Sequence, residues 1–130
     1  MLVSEILKAK GADVFHVAPA LSVRQACQEL NDRRIGAVIV CDNDKVVGVF
    51  SERDLVQAVA RDGEAALGRQ VSDYMTSDVI FAEPGETVAI LMTRMTDRRI
   101  RHLPVMASQK LAGVISIGDV VKCQIAEATH

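Results

Sequence analysis

The chain repeats itself at a spacing of 65 residues, and this internal repeat limits the possible folds more than any other feature. Pro19 returns as Pro84 and Asp54 as Asp119, so the two copies align without a gap. Other matches include 13–14 with 78–79, 32–35 with 97–100, 48–49 with 113–114, and Ser51 with Ser116. Two copies are too few for a solenoid. We therefore expect two similar units packed about a pseudo-twofold axis, with two related clefts.

The composition is that of an ordinary globular chain. With 130 residues, 49% of them hydrophobic, it suits one compact domain or two half-domains that share a core. The net charge of −2 gives no basic field for nucleic acid or an anionic membrane, and 3% aromatic residues leave no stacking platform. No signal-peptide pattern or long apolar run is present. We expect a cytoplasmic protein without nucleic-acid or membrane partners.

The three cysteines argue against a metal or redox centre. Cys27, Cys41 and Cys123 stand far apart and form no CxxC pair and no Cys/His ligand spacing. An odd number of cysteines fits a reducing compartment. We therefore expect no metal site.

The hydrophobic pattern predicts the order β-α-β-β-α in each copy. A short helix over 4–10 comes first, and the first copy then has strands over 14–17, 37–41 and 46–50, with helices after Ser22 and Ser51. The second copy has strands over 79–81, 102–106 and 111–115, with helices over 87–98 and 117–127. This order predicts an α/β fold of the α+β layered kind, in which helices cover apolar strands. The expected division is 1–62 for the N-terminal helix and first repeat, 63–76 for the linker and helical turn, and 77–130 for the second repeat.

A serine followed three residues later by an aspartate ends the last strand of each copy. These pairs are Ser51 with Asp54, and Ser116 with Asp119. The N-terminus of a helix offers free amide groups and a positive dipole end, and the carboxylate could accept hydrogen bonds from a vicinal diol such as ribose. The same spacing is also that of a capping box, which is common. Both interpretations stay open, and one aspartate can serve both.

The two copies diverge just before the second strand. Arg101 and His102 stand in the second copy where Gly36 and Ala37 stand in the first. The guanidinium group of Arg101 suits a phosphate. His102 suits a hydrogen-bonding partner or a packing residue better than a catalytic base, because no nucleophile or carboxylate is tied to it by spacing.

Three further positions are weaker candidates for a ligand site. Arg53 lies in the first turn of a predicted helix, where the dipole disfavours a cation, which hints at a nearby anion. Gly118 takes its place in the second copy, where backbone could approach a ligand closely. Lys10 ends the short first helix, where a solvated side chain is the default.

The repeated Gly-apolar-apolar-Ser-x-x-Asp pattern and the segment Arg-Ile-Arg-His-Leu-Pro-Val at 99–105 resemble the CBS (cystathionine β-synthase) domain family in its tandem form, the Bateman module. The resemblance runs from about Val14 to Val121. With the segment 6–11, the chain is similar to a stand-alone bacterial and plant CBS-pair group that carries no enzyme or channel domain. The resemblance implies two three-stranded sheets about a pseudo-dyad and a homodimer of pairs, head to head or head to tail.

The resemblance also implies an adenosine ligand: AMP most readily, or ADP, ATP, NAD or S-adenosylmethionine. In the family the aspartate holds the ribose hydroxyls, and adenine is bound by the opposite repeat. One implied cleft combines Ser51 and Asp54 with Val79, Ile80, His102, Leu103 and Pro104. The other combines Ser116 and Asp119 with Val14, His16, Gly36, Ala37 and Val38. Arg101 and Arg53 are the phosphate candidates, and Lys10 and Gly118 complete the set. Because Ile39 stands opposite Pro104, and the first repeat lacks the Arg-His pair, we expect unequal occupancy.

The expected function is a non-catalytic sensor that changes the affinity for a regulated protein, or the geometry of a dimer, when a nucleotide binds. The alternative is a pure dimerisation or interaction module with vestigial clefts, in which the Ser-x-x-Asp pairs are only helix caps. The sequence contains no nucleophile–base constellation, metal-ligand set or P-loop that would favour an enzyme.

Overall fold

The structure, a computed structural model, describes residues 1–11 and 14–128. The helices and strands are α1 (Val3–Lys10), β1 (His16–Val17), α2 (Val23–Arg33), β2 (Ala37–Asp42), β3 (Lys45–Ser51), α3 (Glu52–Asp62), α4 (Val88–Arg98), β4 (His102–Ala107), β5 (Lys110–Ser116) and α5 (Ile117–Ala128). Two short 3₁₀ helices, Gly63–Gly68 and Val71–Asp73, lie between α3 and α4. The predicted mixed α and β fold is confirmed.

The chain divides into two compact units. The first-repeat unit is Phe15–Val79, and the second-repeat unit combines Met1–Val14 with Ile80–His130. Helix α1 therefore belongs to the second-repeat unit, although it precedes the first repeat in sequence. The residues that immediately precede the second repeat belong in the same way to the first-repeat unit. The predicted division by chain order, with boundaries after 62 and 76, stays a prediction.

The first-repeat unit is built on a three-stranded sheet in the order β1-β2-β3. Strand β1 runs parallel to β2, with Val17 opposite Val40, and β2 and β3 form an antiparallel hairpin. The hairpin turns at Asn43 and Asp44, both with positive φ, a conformation that short polar side chains tolerate. Helix α2 buries Val23, Ala26 and Leu30 at helical spacing, and the core they join also contains Val38, Val40, Phe50 and Val71.

The second-repeat unit contains the antiparallel hairpin β4-β5 and three helices. Its core draws Val3 and Ile6 from α1, Leu91 and Met95 from α4, and Val120 from α5. The strands contribute Leu103, Val105 and Ile115 to the same cluster. Within the described residues, no helix is long and apolar enough to cross a membrane.

The strand predicted over 79–81 is wrong in the described structure. Residues 79–81 carry no strand, and an isolated parallel bridge forms at the next residue, between Ala82 and Val105. Its bonds run from Ala82 N–H to the Pro104 carbonyl (2.9 Å) and from Met106 N–H to the Ala82 carbonyl (2.9 Å). Extending the ladder toward residue 80 needs an N–H donor at position 104, and proline has none. In the first repeat Ile39 occupies the equivalent position and pairs with His16, so a strand forms there.

Candidate functional site

Each Ser-x-x-Asp pair caps the helix that follows the last strand of its unit. The Ser51 N–H donates to Asp54 Oδ2 (2.9 Å), and the Asp54 N–H donates to Ser51 Oγ (3.3 Å). The same two bonds join Ser116 and Asp119, at 2.8 and 3.2 Å. The capping-box interpretation is therefore confirmed for both repeats. The ribose-binding interpretation of the same carboxylates stays a prediction.

In the first corner, defined as Ser51, Asp54 and Thr76, two hydroxyl groups donate hydrogen bonds to the carboxylate. Asp54 is only 7% exposed. Its Oδ2 also accepts a bond from Ser51 Oγ (3.1 Å), and its Oδ1 accepts one from Thr76 Oγ1 (3.1 Å). Thr76 is fixed in turn by two backbone bonds to Val49, of 2.9 and 3.0 Å. Both carboxylate oxygens are thus engaged by neutral donors.

In the second corner, defined as Ser116, Asp119 and Lys10, a cation pairs with the carboxylate. The ammonium group of Lys10 donates to Asp119 Oδ2 (2.8 Å) and to the Val114 carbonyl (2.7 Å). The Asp119 side chain is 18% exposed. Among the described residues, the hydrogen bonds from the Lys10 ammonium group and the Ser116 N–H both end on Oδ2.

The charge of Lys10 alters the acidity of Asp119. Burial acts to raise the pKa of Asp119, but the hydrogen bond from Lys10, the backbone bond at Ser116 and the positive charge of Lys10 together outweigh it. The net result is a pKa below the ordinary value, so the carboxylate is ionised at neutral pH. An ionised carboxylate is the kind of acceptor that a hydroxyl donor prefers.

Strand register places the divergent residues beside each serine. His102 lies opposite Ser116 across β4 and β5, and Ile117 N–H donates to the Arg101 carbonyl (2.8 Å). In the first-repeat unit Ala37 lies opposite Ser51, and Glu52 N–H donates to the Gly36 carbonyl (3.0 Å). Arg101 is exposed and His102 is partly buried. The second corner thus has an arginine and a histidine as neighbours, where the first has glycine and alanine.

The remaining candidates divide between the two units. Those in the first-repeat unit are exposed His16 and Arg53, buried Val38 and partly buried Val79; those in the second-repeat unit are partly buried Val14 and Ile80, buried Leu103 and Pro104, and exposed Gly118. Their grouping into clefts that combine the two repeats stays a prediction.

The sequence interpretation missed Thr76. In the alignment of the two copies, its counterpart is Gly11, so the repeat itself gave no signal for this residue. Lys10 was a candidate without an assigned position, and its counterpart is Met75. Lys10, which precedes the first repeat, therefore completes the second corner. Thr76, which precedes the second repeat, completes the first corner.

Metal and thiol chemistry find no support in the residues that the structure describes. No group of three or more His, Cys, Asp or Glu side chains there could hold a metal ion. Burial raises the pKa of the thiols of Cys27, Cys41 and Cys123, which keeps them protonated and poorly nucleophilic at neutral pH.

Both repeats match the same family. The family model for the CBS domain matches residues 3–61 and again residues 71–126. The chain belongs to the CBS domain family. The crystal structure of the CBS-domain containing protein ATU1752 from Agrobacterium tumefaciens superposes with a TM-score of 0.92 at 47% identity, and the match covers 95% of this chain and 92% of that one. The mitochondrial CBS domain-containing protein CBSX3 of Arabidopsis thaliana is 29% identical over 96% of this chain, which spans 65% of that relative's length.

Two more distant CBS structures share the fold and carry adenosine compounds. The CBS domain pair of protein MJ0100, in complex with 5′-methylthioadenosine and S-adenosyl-L-methionine, has a TM-score of 0.84 at 22% identity, covering 98% of both chains. The CBS domain protein PAE2072 from Pyrobaculum aerophilum, complexed with AMP, has a TM-score of 0.82 at 24% identity, covering 98% of this chain and 99% of that one.

Proposed function

We propose that this CBS pair is a non-catalytic sensor that binds an adenosine nucleotide, with Asp119 as the acceptor for the ribose hydroxyls. The observation that carries the proposal is the state of the Asp119 carboxylate. It is fixed at the N-terminus of α5 by Ser116, is partly exposed, and within the described residues receives all its hydrogen bonds on Oδ2. A diol can therefore bond to Oδ1 without breaking the helix cap.

The first corner is the weaker site in this proposal. Asp54 is buried and both of its oxygens already accept hydrogen bonds. A diol would have to replace Thr76 or Ser51 as a donor, so part of its binding energy would be spent on the exchange. Unequal occupancy of the two corners follows, with Asp119 occupied first.

AMP is the proposed ligand, with ADP, ATP, NAD and S-adenosylmethionine as alternatives. Support comes from the two structural neighbours that carry AMP or 5′-methylthioadenosine with S-adenosylmethionine. Exposed Arg101 lies beside Ser116 by strand register, where its guanidinium is a candidate phosphate contact. Ligand binding would shift the balance between two conformations by no more than its difference in affinity for them.

Calorimetric titration tests this function. Nucleotide-free protein is titrated with AMP, ATP, NAD and S-adenosylmethionine, together with Asp119→Ala and a control, Asp32→Ala, at an exposed position on α2. We expect binding of one adenosine ligand to be lost in Asp119→Ala and kept in Asp32→Ala, with circular dichroism reporting that both variants are folded. Recovery of the ligand unchanged after incubation supports a non-catalytic role.

The absence of heat with every ligand, from folded and empty wild-type protein, would contradict the sensor proposal. The alternative, an interaction module whose Ser-x-x-Asp pairs serve only as caps, would then be preferred.

We also propose that the chain forms a homodimer through exposed apolar helix faces. Ile117, Val121 and Ile125 recur every four residues along α5 and are all exposed. Helix α3 exposes Val56 and Val59. A second copy is the proposed occupant of these faces, because exposed apolar residues that recur along a helix are a normal mark of an interface.

Sedimentation velocity tests the dimer. The double variant Val121→Glu with Ile125→Glu should sediment as a monomer, whereas Lys122→Glu, at a neighbouring exposed position of α5, should remain dimeric. A wild-type protein that is monomeric at all concentrations would refute this arrangement. The regulated protein and a cytoplasmic location stay predictions.

A further inference from the structure

Lys10 occupies a defined position at the second corner. Its helix, α1, buries Val3 and Ile6 in the core of the second-repeat unit. Leu7 approaches Gly113 so closely that a side chain at position 113 would collide with it. These contacts hold the C-terminal end of α1 against β5, where the ammonium group bonds to Asp119 and Val114. An ammonium group has three N–H donors, and within the described residues these two bonds use two of them.

The charge at the second corner differs from that at the first. A carboxylate alone repels a phosphate, and the repulsion grows as water is excluded. Lys10 neutralises Asp119 at a distance of 2.8 Å, whereas Thr76 offers Asp54 only a neutral hydroxyl. The second corner can therefore accept an anionic ligand beside the diol, whereas none of the three residues of the first corner supplies a cation.

We propose that Lys10 is a specificity-determining residue, which makes the second corner select adenosine ligands that carry a phosphate over those that are neutral or positively charged. This inference rests on the proposed function, because it names the ligand class of the same corner. The geometry points to a double role for the ammonium group: it cancels the charge of Asp119 and it offers its remaining N–H to a phosphate oxygen.

The contrasting hypothesis is that Lys10 competes with the ligand for Asp119. In that case the ammonium group must leave before a diol binds, and breaking the ion pair lowers the affinity for every ligand by the same factor. Removing Lys10 would then tighten the binding of neutral and phosphorylated ligands alike. The two hypotheses predict opposite changes in AMP affinity, which makes them separable by experiment.

The experiment compares AMP with adenosine, which differs only by the phosphate. Wild-type protein, Lys10→Gln and the control Lys8→Gln are titrated with both compounds; Lys8 is exposed on the same helix and undergoes the same change of charge. We expect Lys10→Gln to weaken the affinity for AMP by about ten-fold, which is the usual scale of one charge-assisted hydrogen bond. The affinity for adenosine should change by less than about two-fold. Lys8→Gln should leave both affinities unchanged.

Salt dependence gives a second readout that a purely structural role would not move. The affinity of wild-type protein for AMP should fall with added NaCl more steeply than that of Lys10→Gln. Thermal unfolding of each variant reports whether α1 remains docked.

Each outcome decides between the proposals. Binding of neither compound by wild-type protein overturns the proposed function itself. Binding by wild-type protein, with equal weakening of AMP and adenosine in Lys10→Gln, overturns the selectivity proposal and leaves a structural role for Lys10. Tighter binding of both compounds in Lys10→Gln overturns it in favour of competition.

Discussion

The two Ser-x-x-Asp corners share a sequence pattern and a helix cap but differ in the residue that completes them. Thr76 donates a neutral hydroxyl to buried Asp54, whereas Lys10 donates a charged ammonium group to partly exposed Asp119. The cap bonds are local, so they repeat with the sequence. The completing residues come from elsewhere in the chain and do not repeat. A duplicated motif therefore preserves its local geometry while its charge and accessibility diverge.

The largest expected difference between the corners is in the cost of losing the carboxylate. Asp54→Ala removes a carboxylate that is only 7% exposed and leaves the Ser51 amide and the Thr76 hydroxyl without their acceptor, so we expect a loss of about 2–3 kcal/mol in the free energy of unfolding. Asp119→Ala removes one cap and a partly exposed ion pair, so we expect a loss of about 1 kcal/mol in the free energy of unfolding. Urea denaturation of both variants measures the difference, and equal losses would remove the distinction in burial.

The next prediction concerns the matched glycines, Gly48 and Gly113. A Cβ at position 48 would meet Met75 and also the backbone carbonyl of Thr76 at 3.1 Å, whereas one at position 113 would meet only the flexible end of Leu7. We expect Gly48→Ala to destabilise by about 1–2 kcal/mol, because a backbone segment has to move, and Gly113→Ala by less than about 1 kcal/mol. Thermal denaturation gives the comparison, and a reversed order would show that α1 is fixed more rigidly than the segment at Thr76.

The smallest effect is the coupling between Lys10 and Asp119. A double-mutant cycle with Lys10→Met and Asp119→Asn should give a coupling energy of about 0.5–1 kcal/mol, because the ion pair is partly exposed. The corresponding cycle with Thr76→Val and Asp54→Asn removes a hydrogen bond whose donor is a neutral hydroxyl. Added salt should reduce the first coupling energy and leave the second unchanged. Equal salt responses would count against an ionic second corner.

The same pair gives a pH dependence with a definite sign. The folded pKa of Asp119 lies below its ordinary value of 3.8. A carboxylate of this kind adds stability above its unfolded pKa and loses it as the pH falls through the folded value. The stability difference between wild-type protein and Lys10→Met should therefore be constant near neutral pH and should shrink below about pH 4. Denaturation at a series of pH values tests this, and a difference that persists in acid would show that packing of Lys10 is responsible.

The order of helices and strands followed from the sequence because its causes are local. Apolar periodicity and caps act over a few residues, and Ser51 with Asp54 shows both in one segment. The strand predicted over 79–81 was wrong for a reason also present in the sequence, because Pro104 supplies no donor for it. The resemblance implied two three-stranded sheets, whereas β4 and β5 form a two-stranded sheet.

What the sequence determined by itself is the duplicated fold and the two helix caps. Tertiary structure decided which segment completes each corner: Lys10 reaches Asp119 across 109 positions of sequence, and Thr76 reaches Asp54 across 22. No periodicity or spacing encodes such contacts, because they depend on how α1 and the segment at Thr76 pack against the strands of each unit. That packing is driven by buried apolar surface, which specifies a position only once the whole unit has folded.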